Sequence, residues 1–147
     1  MMINKIKKQG LRMTPQRMAI LEFLEGNTSH PSAEEIYHQL KLKYPSLSLT
    51  TVYNNLELLT KAGELQEIII RAEKRRFDPN PAPHGHFLCR ICDSLFDLDA
   101  VTLKIRTPSK YNGYLVENFT IYYYGICPAC LEGEANEKNT LQRQPKK

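Results

Sequence analysis

Four cysteines fall into two Cys-x-x-Cys units, Cys89/Cys92 and Cys127/Cys130, with 34 residues between them. Four thiolates close a tetrahedral shell around Zn²⁺ and leave no position open for a substrate, so the pattern predicts a structural metal. The separation is longer than in a compact zinc ribbon and leaves room for a strand, a helix and a strand. The metal would then staple the last strand of the chain to the knuckle that opens its second domain. Two independent redox dithiols are the alternative, and a weaker one, because neither pair stands between the strand and helix of a thioredoxin-like unit.

A second set of donors lies around it. His84-Gly85-His86 precedes the first cysteine pair, Asp78 lies just upstream, Asp97 follows Cys92 by five residues, and His30 falls in a turn before a predicted helix. Residues 84 and 86 share one side of an extended segment, because strand side chains alternate. Imidazoles with carboxylates suit Fe²⁺, Mn²⁺ or Zn²⁺ better than a soft, thiolate-seeking ion. The plain alternative is a pair of surface histidines in a hinge. His38 reads as a helix-surface residue.

These donors need elements to hold them. Thr14-Pro15 predicts a helix start, a capping hydroxyl followed by proline at the first helical position; Ile20, Leu21, Phe23 and Leu24 supply its apolar face until Gly26-Asn27. Ser32 and Glu35 form a capping box for a second helix with Ile36, Tyr37 and Leu40 inward. Ser48 caps a third, from Leu49 to Ala62, with Gly63 just past its end. After Gly63 the period changes. Leu65–Arg71 and Arg75–Phe77 read as a hairpin around Ala72-Glu73-Lys74, a wing after a helix-turn-helix. Three prolines in residues 79–83 mark a hinge. Beyond it, His86–Cys89, Leu95–Asp97 and Phe119–Tyr124 read as strands and Asp99–Ile105 as a helix. The predicted fold is α+β: a winged helix over residues 1–79, a hinge over 80–83, an α+β unit over 84–131 and a polar, disordered tail over 132–147.

Composition sets wider limits. The 147 residues are 41% hydrophobic and 24% charged, which supports a packed core, and the net charge of +4 permits nucleic-acid binding without requiring it. No apolar run reaches membrane-spanning length and the Lys-rich start has no apolar h-region behind it, so a cytoplasmic protein without a membrane partner is expected.

In the third helix Val52, Leu56 and Leu59 recur at core spacing, while Thr50, Thr51, Tyr53, Asn54 and Glu57 fall on the opposite face. Thr and Tyr suit phosphate or thymine-methyl contacts and Asn can pair bidentately with adenine. A merely solvated face is the bland alternative, but the adjoining hairpin and hinge favour DNA. Arg12, Arg17, Lys61, Arg71, Lys74, Arg75 and Arg76 are candidate phosphate contacts.

Residues 11–17 (Leu-Arg-Met-Thr-Pro-Gln-Arg), 30–37 (His-Pro-Ser-Ala-Glu-Glu-Ile-Tyr), 51–56 (Thr-Val-Tyr-Asn-Asn-Leu) and His84-Gly85-His86 with the cysteine pairs resemble the ferric uptake regulator family, over about residues 5–131. The resemblance implies an N-terminal winged helix, a C-terminal dimerisation domain and a homodimer on palindromic double-stranded operator DNA. Carried over residue by residue, it implies a regulatory Fe²⁺ or Mn²⁺ bound by His30, Asp78, His84, His86 and Asp97. Asp78 and Asp97, where iron-sensing relatives tend to carry Glu, and Asn54 after Tyr53 rather than Arg, resemble the peroxide-sensing branch. That branch implies oxidation of a ligand histidine, His30 or His84, with loss of metal and then of DNA. The position after Cys92 departs from the family, with Asp93 where Gly is usual.

The rival within this class is an iron-, manganese- or zinc-responsive repressor of metal uptake that ignores peroxide. A zinc enzyme such as a deaminase needs a His-x-Glu beside an open zinc, and neither is present here. No enzyme activity and no small-molecule substrate are expected.

Overall fold

The computed structural model describes residues 12–99, 108–117 and 119–133. It divides into two units, Met1–Ala82 and Pro83–Lys147, with the division inside the proline-rich segment.

The first unit is a winged helix. Helix α1 (Pro15–Leu24) starts where Thr14 Oγ1 accepts from the Arg17 N–H at 3.2 Å, with proline at its first position. Helix α2 (Ala33–Lys41) carries the full reciprocal box: Glu35 N donates to Ser32 Oγ at 3.3 Å, and Ser32 N donates to Glu35 Oε2 at 2.8 Å. Helix α3 (Leu49–Lys61) is capped by Ser48, which accepts from Thr51 N at 3.1 Å. It ends before Gly63, whose φ of 71° is the left-handed turn that a residue without Cβ takes at no steric cost. Each cap satisfies helix-end N–H groups that would otherwise need water.

The three helices close over Ile20, Leu21, Leu24, Ile36, Val52, Leu56 and Leu59. Phe23, Tyr37 and Leu40, expected inward, are only partly buried and pack against this cluster from its edge. Strands β1 (Gln66–Arg71) and β2 (Lys74–Asp78) pair antiparallel, from Gln66↔Asp78 to Arg71↔Lys74, with an irregularity after Ile68. Phe77 drops from β2 into the helical core, and its N–H donates to the Pro31 carbonyl at 3.0 Å. That bond ties the wing to the turn before α2. Truncating a buried ring of this kind typically costs ~3–5 kcal/mol.

The second unit is built on a three-stranded mixed sheet. Strand β3 (Gly85–Cys89) lies in the middle, antiparallel to β4 (Leu95–Leu98) and parallel to β7 (Ile121–Gly125). Strand β7 starts two residues later than expected, at Ile121 rather than Phe119. A separate small hairpin, β5 (Lys110–Tyr111) and β6 (Tyr114–Leu115), was not expected. It turns through Asn112 and Gly113, at φ 47° and 87°, the pair of left-handed residues that a two-residue hairpin loop requires.

Residues 128–133 form a helical turn, so residues 132 and 133, assigned from sequence to a polar tail, still belong to ordered structure. The expected helix at 99–105, apart from residue 99, and the tail from 134 onward lie outside the described residues. Among the described residues, no helix is long and apolar enough to cross a membrane.

Candidate functional site

The second unit gathers its four cysteines. One sulfur from each of Cys89, Cys92, Cys127 and Cys130 lies within 4.8 Å of the others, and none is in a disulfide. Cys89 is the last residue of β3, and the chain then turns so that Asp93 N donates to Cys89 O and Cys89 N to Ser94 O, both at 3.0 Å. Asp93 has a φ of 58°, which explains the family's usual glycine there. Aspartate is among the few side chains that visit this region often, so the turn survives the substitution.

Strand β7 delivers the other pair. Gly125 accepts from Arg90 N at 2.8 Å, locking the two strand ends together. A Cβ on Gly125 would stand 3.0 Å from the Phe87 ring, so the position favours a residue without a side chain.

The thiols differ. Backbone N–H groups, that of Cys92 foremost and those of Cys127 and Ile91 after it, lower Cys89 to a pKa of about 6. The Ser94 side chain is the largest influence lowering Cys92. Cys130, hydrogen-bonded to Cys127, is pushed up to about 12 and holds its proton. Such a cluster of soft donors, partly prepared as thiolates, fits Zn²⁺.

The histidine and aspartate candidates occur as two half-sites, one in each unit. In the first unit His30 and Asp78 are both buried, with His30 Nε2 4.0 Å from Asp78 Oδ2. His30 has a φ of 51°, unusual for any side chain and more so before proline. The Arg76 guanidinium donates to the His30 carbonyl at 3.4 Å, and Asp78 Oδ1 accepts from Asn80 N at 2.8 Å. Backbone held in a sparsely populated region often marks a functional position.

In the second unit His86 on β3 and His84, just before that strand, lie around the β4 residue Asp97. Their Nε2 atoms lie 3.1 Å and 3.7 Å from the same carboxylate oxygen, Oδ1, and His86 pairs with Asp97 in the strand register. The imidazole centroids are 4.5 Å apart. Two ring nitrogens converging on one carboxylate oxygen make a borderline-hard donor set that fits Fe²⁺, Mn²⁺ or Zn²⁺.

On α3, Thr50 and Asn54 are exposed and Thr51 and Tyr53 half-buried, while Val52, Leu56 and Leu59 face the core. Several candidate DNA contacts already have partners. The Tyr53 hydroxyl donates to Glu34 Oε1 at 2.6 Å, Arg75 pairs with Glu67, and Lys61 and Lys74 pair with Glu57 and Glu35, each at 2.7 Å. Arg17 bonds to Asn55 and to the Arg12 carbonyl. Arg76 is a correction: the His30–Ser32 turn lies across β2 at this residue and buries it, 6% exposed, so it is a structural donor rather than a phosphate contact. Between α3 and the wing lies a groove of about 520 Å³ lined by Tyr53, Glu57, Lys61, Glu67 and Arg75. Sequence reading also missed Asn55, a buried polar residue on α3 beside the exposed Asn54. Its place three residues after Val52 and four before Leu59, on the core face of α3, was the available signal.

Comparison with known proteins agrees with this architecture. Residues 8–124 match the model of the ferric uptake regulator family. The chain is 34% identical to the peroxide operon regulator of Bacillus subtilis over 137 residues, covering 90% of this chain and 92% of that one. It is 35% identical to the peroxide-responsive repressor of Staphylococcus epidermidis over 135 residues, covering 88% of each. The crystal structure of the Campylobacter jejuni peroxide stress regulator superposes with a TM-score of 0.68 at 33% identity, covering 87% of this chain and 98% of that one. The chain belongs to the ferric uptake regulator family.

Proposed function

We propose that this family member is a cytoplasmic, dimeric repressor that binds palindromic operator DNA when metal-loaded and is released by peroxide. The observation that carries the reading is the convergence of His84 and His86 on Asp97, with the strained His30 beside Asp78 in the other unit. The 33–35% identity to peroxide-responsive repressors supports the peroxide branch.

In this reading His30, Asp78, His84, His86 and Asp97 hold one regulatory Fe²⁺ or Mn²⁺, while Cys89, Cys92, Cys127 and Cys130 hold a structural Zn²⁺. Neither half-site alone offers the five or six nitrogen and oxygen donors that such a regulatory ion favours. Ligands from both sides of the hinge make metal affinity and operator affinity reciprocally coupled. Bound Fe²⁺ supplies the redox chemistry by which peroxide oxidises a ligand histidine. The chain's own part is to keep His30 and His84 in the ligand set, so that oxidising either one weakens metal binding.

Thr50, Thr51, Tyr53 and Asn54 face the operator, with Arg12, Arg17 and Arg75 toward its phosphates. In the second unit Phe96 and Tyr123, both paired in register with Phe87, are exposed on one face of the sheet, a face suited to a second copy of the chain.

The test is anaerobic loading with Fe²⁺, addition of a small excess of peroxide, and peptide mass spectrometry, with a Mn²⁺-loaded sample as control. Oxygen added to His30 or His84 only with iron, in step with loss of operator binding, supports the reading. Unmodified histidines in a protein whose Fe²⁺ form still binds DNA would make it a metal-uptake regulator that ignores peroxide.

A further inference from the structure

Arg17 on α1 is held differently from the other cations near α3. Lys61, Lys74 and Arg75 are each paired with a carboxylate. The guanidinium of Arg17 is held by neutral acceptors: its Nε donates to Asn55 Oδ1 at 2.8 Å and its Nη1 to the Arg12 carbonyl. Among the described residues it has no carboxylate partner. These bonds fix the plane of the guanidinium without cancelling its charge, and they leave the Nη2 edge for an anion.

Asn55 is 7% exposed and lies on α3 among the buried Val52, Leu56 and Leu59. Packing alone would favour an apolar residue, since a buried amide is costly unless it is hydrogen-bonded. Its Nδ2 donates to the Thr51 carbonyl at 2.8 Å, one turn back along α3. The amide therefore has one orientation. Exchanging its oxygen and nitrogen would set donor against donor at Arg17 and acceptor against acceptor at Thr51. Arg17 is thus anchored to the Thr51–Asn55 turn, next to the exposed Thr50 and Asn54.

We infer that Asn55 is a positioning residue that orients Arg17 to take a DNA phosphate, so that the helix reading the bases also sets a backbone contact made from α1. The inference rests on the reading of the first unit as a DNA-binding module. A guanidinium ordered before binding loses less side-chain freedom when the phosphate arrives.

The test uses the Mn²⁺-loaded full chain and a mixed-sequence DNA duplex, with affinity measured across a salt series. Wild type should bind with a steep salt slope; no salt-dependent binding would sink the DNA reading itself. Asn55→Ala should weaken binding about tenfold and reduce the slope by roughly two per dimer, one phosphate per head. Arg17→Met should reduce the slope equally, and the double variant should be no worse than either single one. If Asn55→Ala lowers the melting temperature but leaves the salt slope at the wild-type value, Asn55 is structural only and the inference is overturned. Should Asn55→Ala not fold, Asn55→Ser serves: its hydroxyl can donate to the Thr51 carbonyl one turn back but is too short to hold Arg17. The same slope loss supports the inference, and an unchanged slope overturns it.

Discussion

The Tyr53 hydroxyl, on α3, donates to the Glu34 carboxylate on α2 at 2.6 Å. The hydroxyl is thereby committed within the protein, and the aromatic ring is what remains to meet a base or a thymine methyl. Tyr53→Phe should therefore keep operator affinity within about twofold and cost only ~0.5 kcal/mol of stability, since the bond lies near solvent. Tyr53→Ala should weaken operator binding at least tenfold.

The Tyr53 hydrogen bond is also the largest influence holding the Glu34 carboxyl below its ordinary pKa of 4.5. A depressed carboxyl contributes stability above its unfolded pKa and loses it as pH falls through the folded value. The stability gap between wild type and Y53F should accordingly be present at neutral pH and close in acid below 4.5. A gap that persists in acid would argue against this assignment. Thermal melts of both proteins across pH 3–7, a roughly chosen range spanning the carboxylate titration, provide the check.

Arg75 on the wing pairs with Glu67 across the hairpin. If Arg75 is to contact phosphate, Glu67 competes with DNA for it. Glu67→Gln should strengthen binding to mixed-sequence duplex several-fold and steepen the salt slope, with little change in stability. A salt titration comparing the two proteins checks this, and equal slopes would place Arg75 away from the DNA backbone.

Arg76, the next residue, should behave in the opposite way. It is buried and donates to the His30 carbonyl. Arg76→Ala should destabilise the first unit by ~2–3 kcal/mol through the acceptor it leaves behind. The salt slope of whatever folded protein remains should be unchanged. Denaturant melts and DNA titrations on one preparation separate the two effects.

The zinc-loaded chain should resist alkylation at all four cysteines. With the metal stripped by chelation under folding conditions, Cys92 should react first at neutral pH, because it is exposed and its pKa is lowered. Cys89 is a better thiolate but buried, and Cys130, at about 12, is almost wholly protonated. Timed iodoacetamide labelling with peptide mass spectrometry reads the order; labelling at Cys130 first would contradict it.

What was legible in the sequence was mostly local. Ser32 with Glu35, Ser48 with Thr51, and Gly63 act within one helical turn, so types and spacing suffice to place the helix ends. The two cysteine pairs and the His84/His86 alternation are legible for the same reason. The unread parts depend on register or distant pairing. Arg75 and Arg76 are chemically alike, and the distant His30–Ser32 turn, which lies across β2 at Arg76, decides which of them is buried. Asn55 is a different case: its spacing from Val52 and Leu59 placed it on the core face of α3, but its partner Arg17 lies 38 residues away in the chain. The Asn112-Gly113 turn carried a readable signal, but two-residue strands give no alternating run to support it. The order β4-β3-β7 joins segments far apart in the chain, which no local pattern encodes.

The parallel pairing of β3 with β7 also bears on how the molecule is made. Gly85 pairs with Ile121, and the second cysteine pair lies beyond that strand. While residues 99–126 are still being synthesised, the first knuckle can offer a metal only two sulfurs, and β3 has only β4 beside it. With zinc at the four cysteines, as proposed, its capture would be a late event in the life of the nascent chain, coupled to arrival of the second pair, and chains cut short before Cys127 would lack both the third strand's anchor and half the ligands.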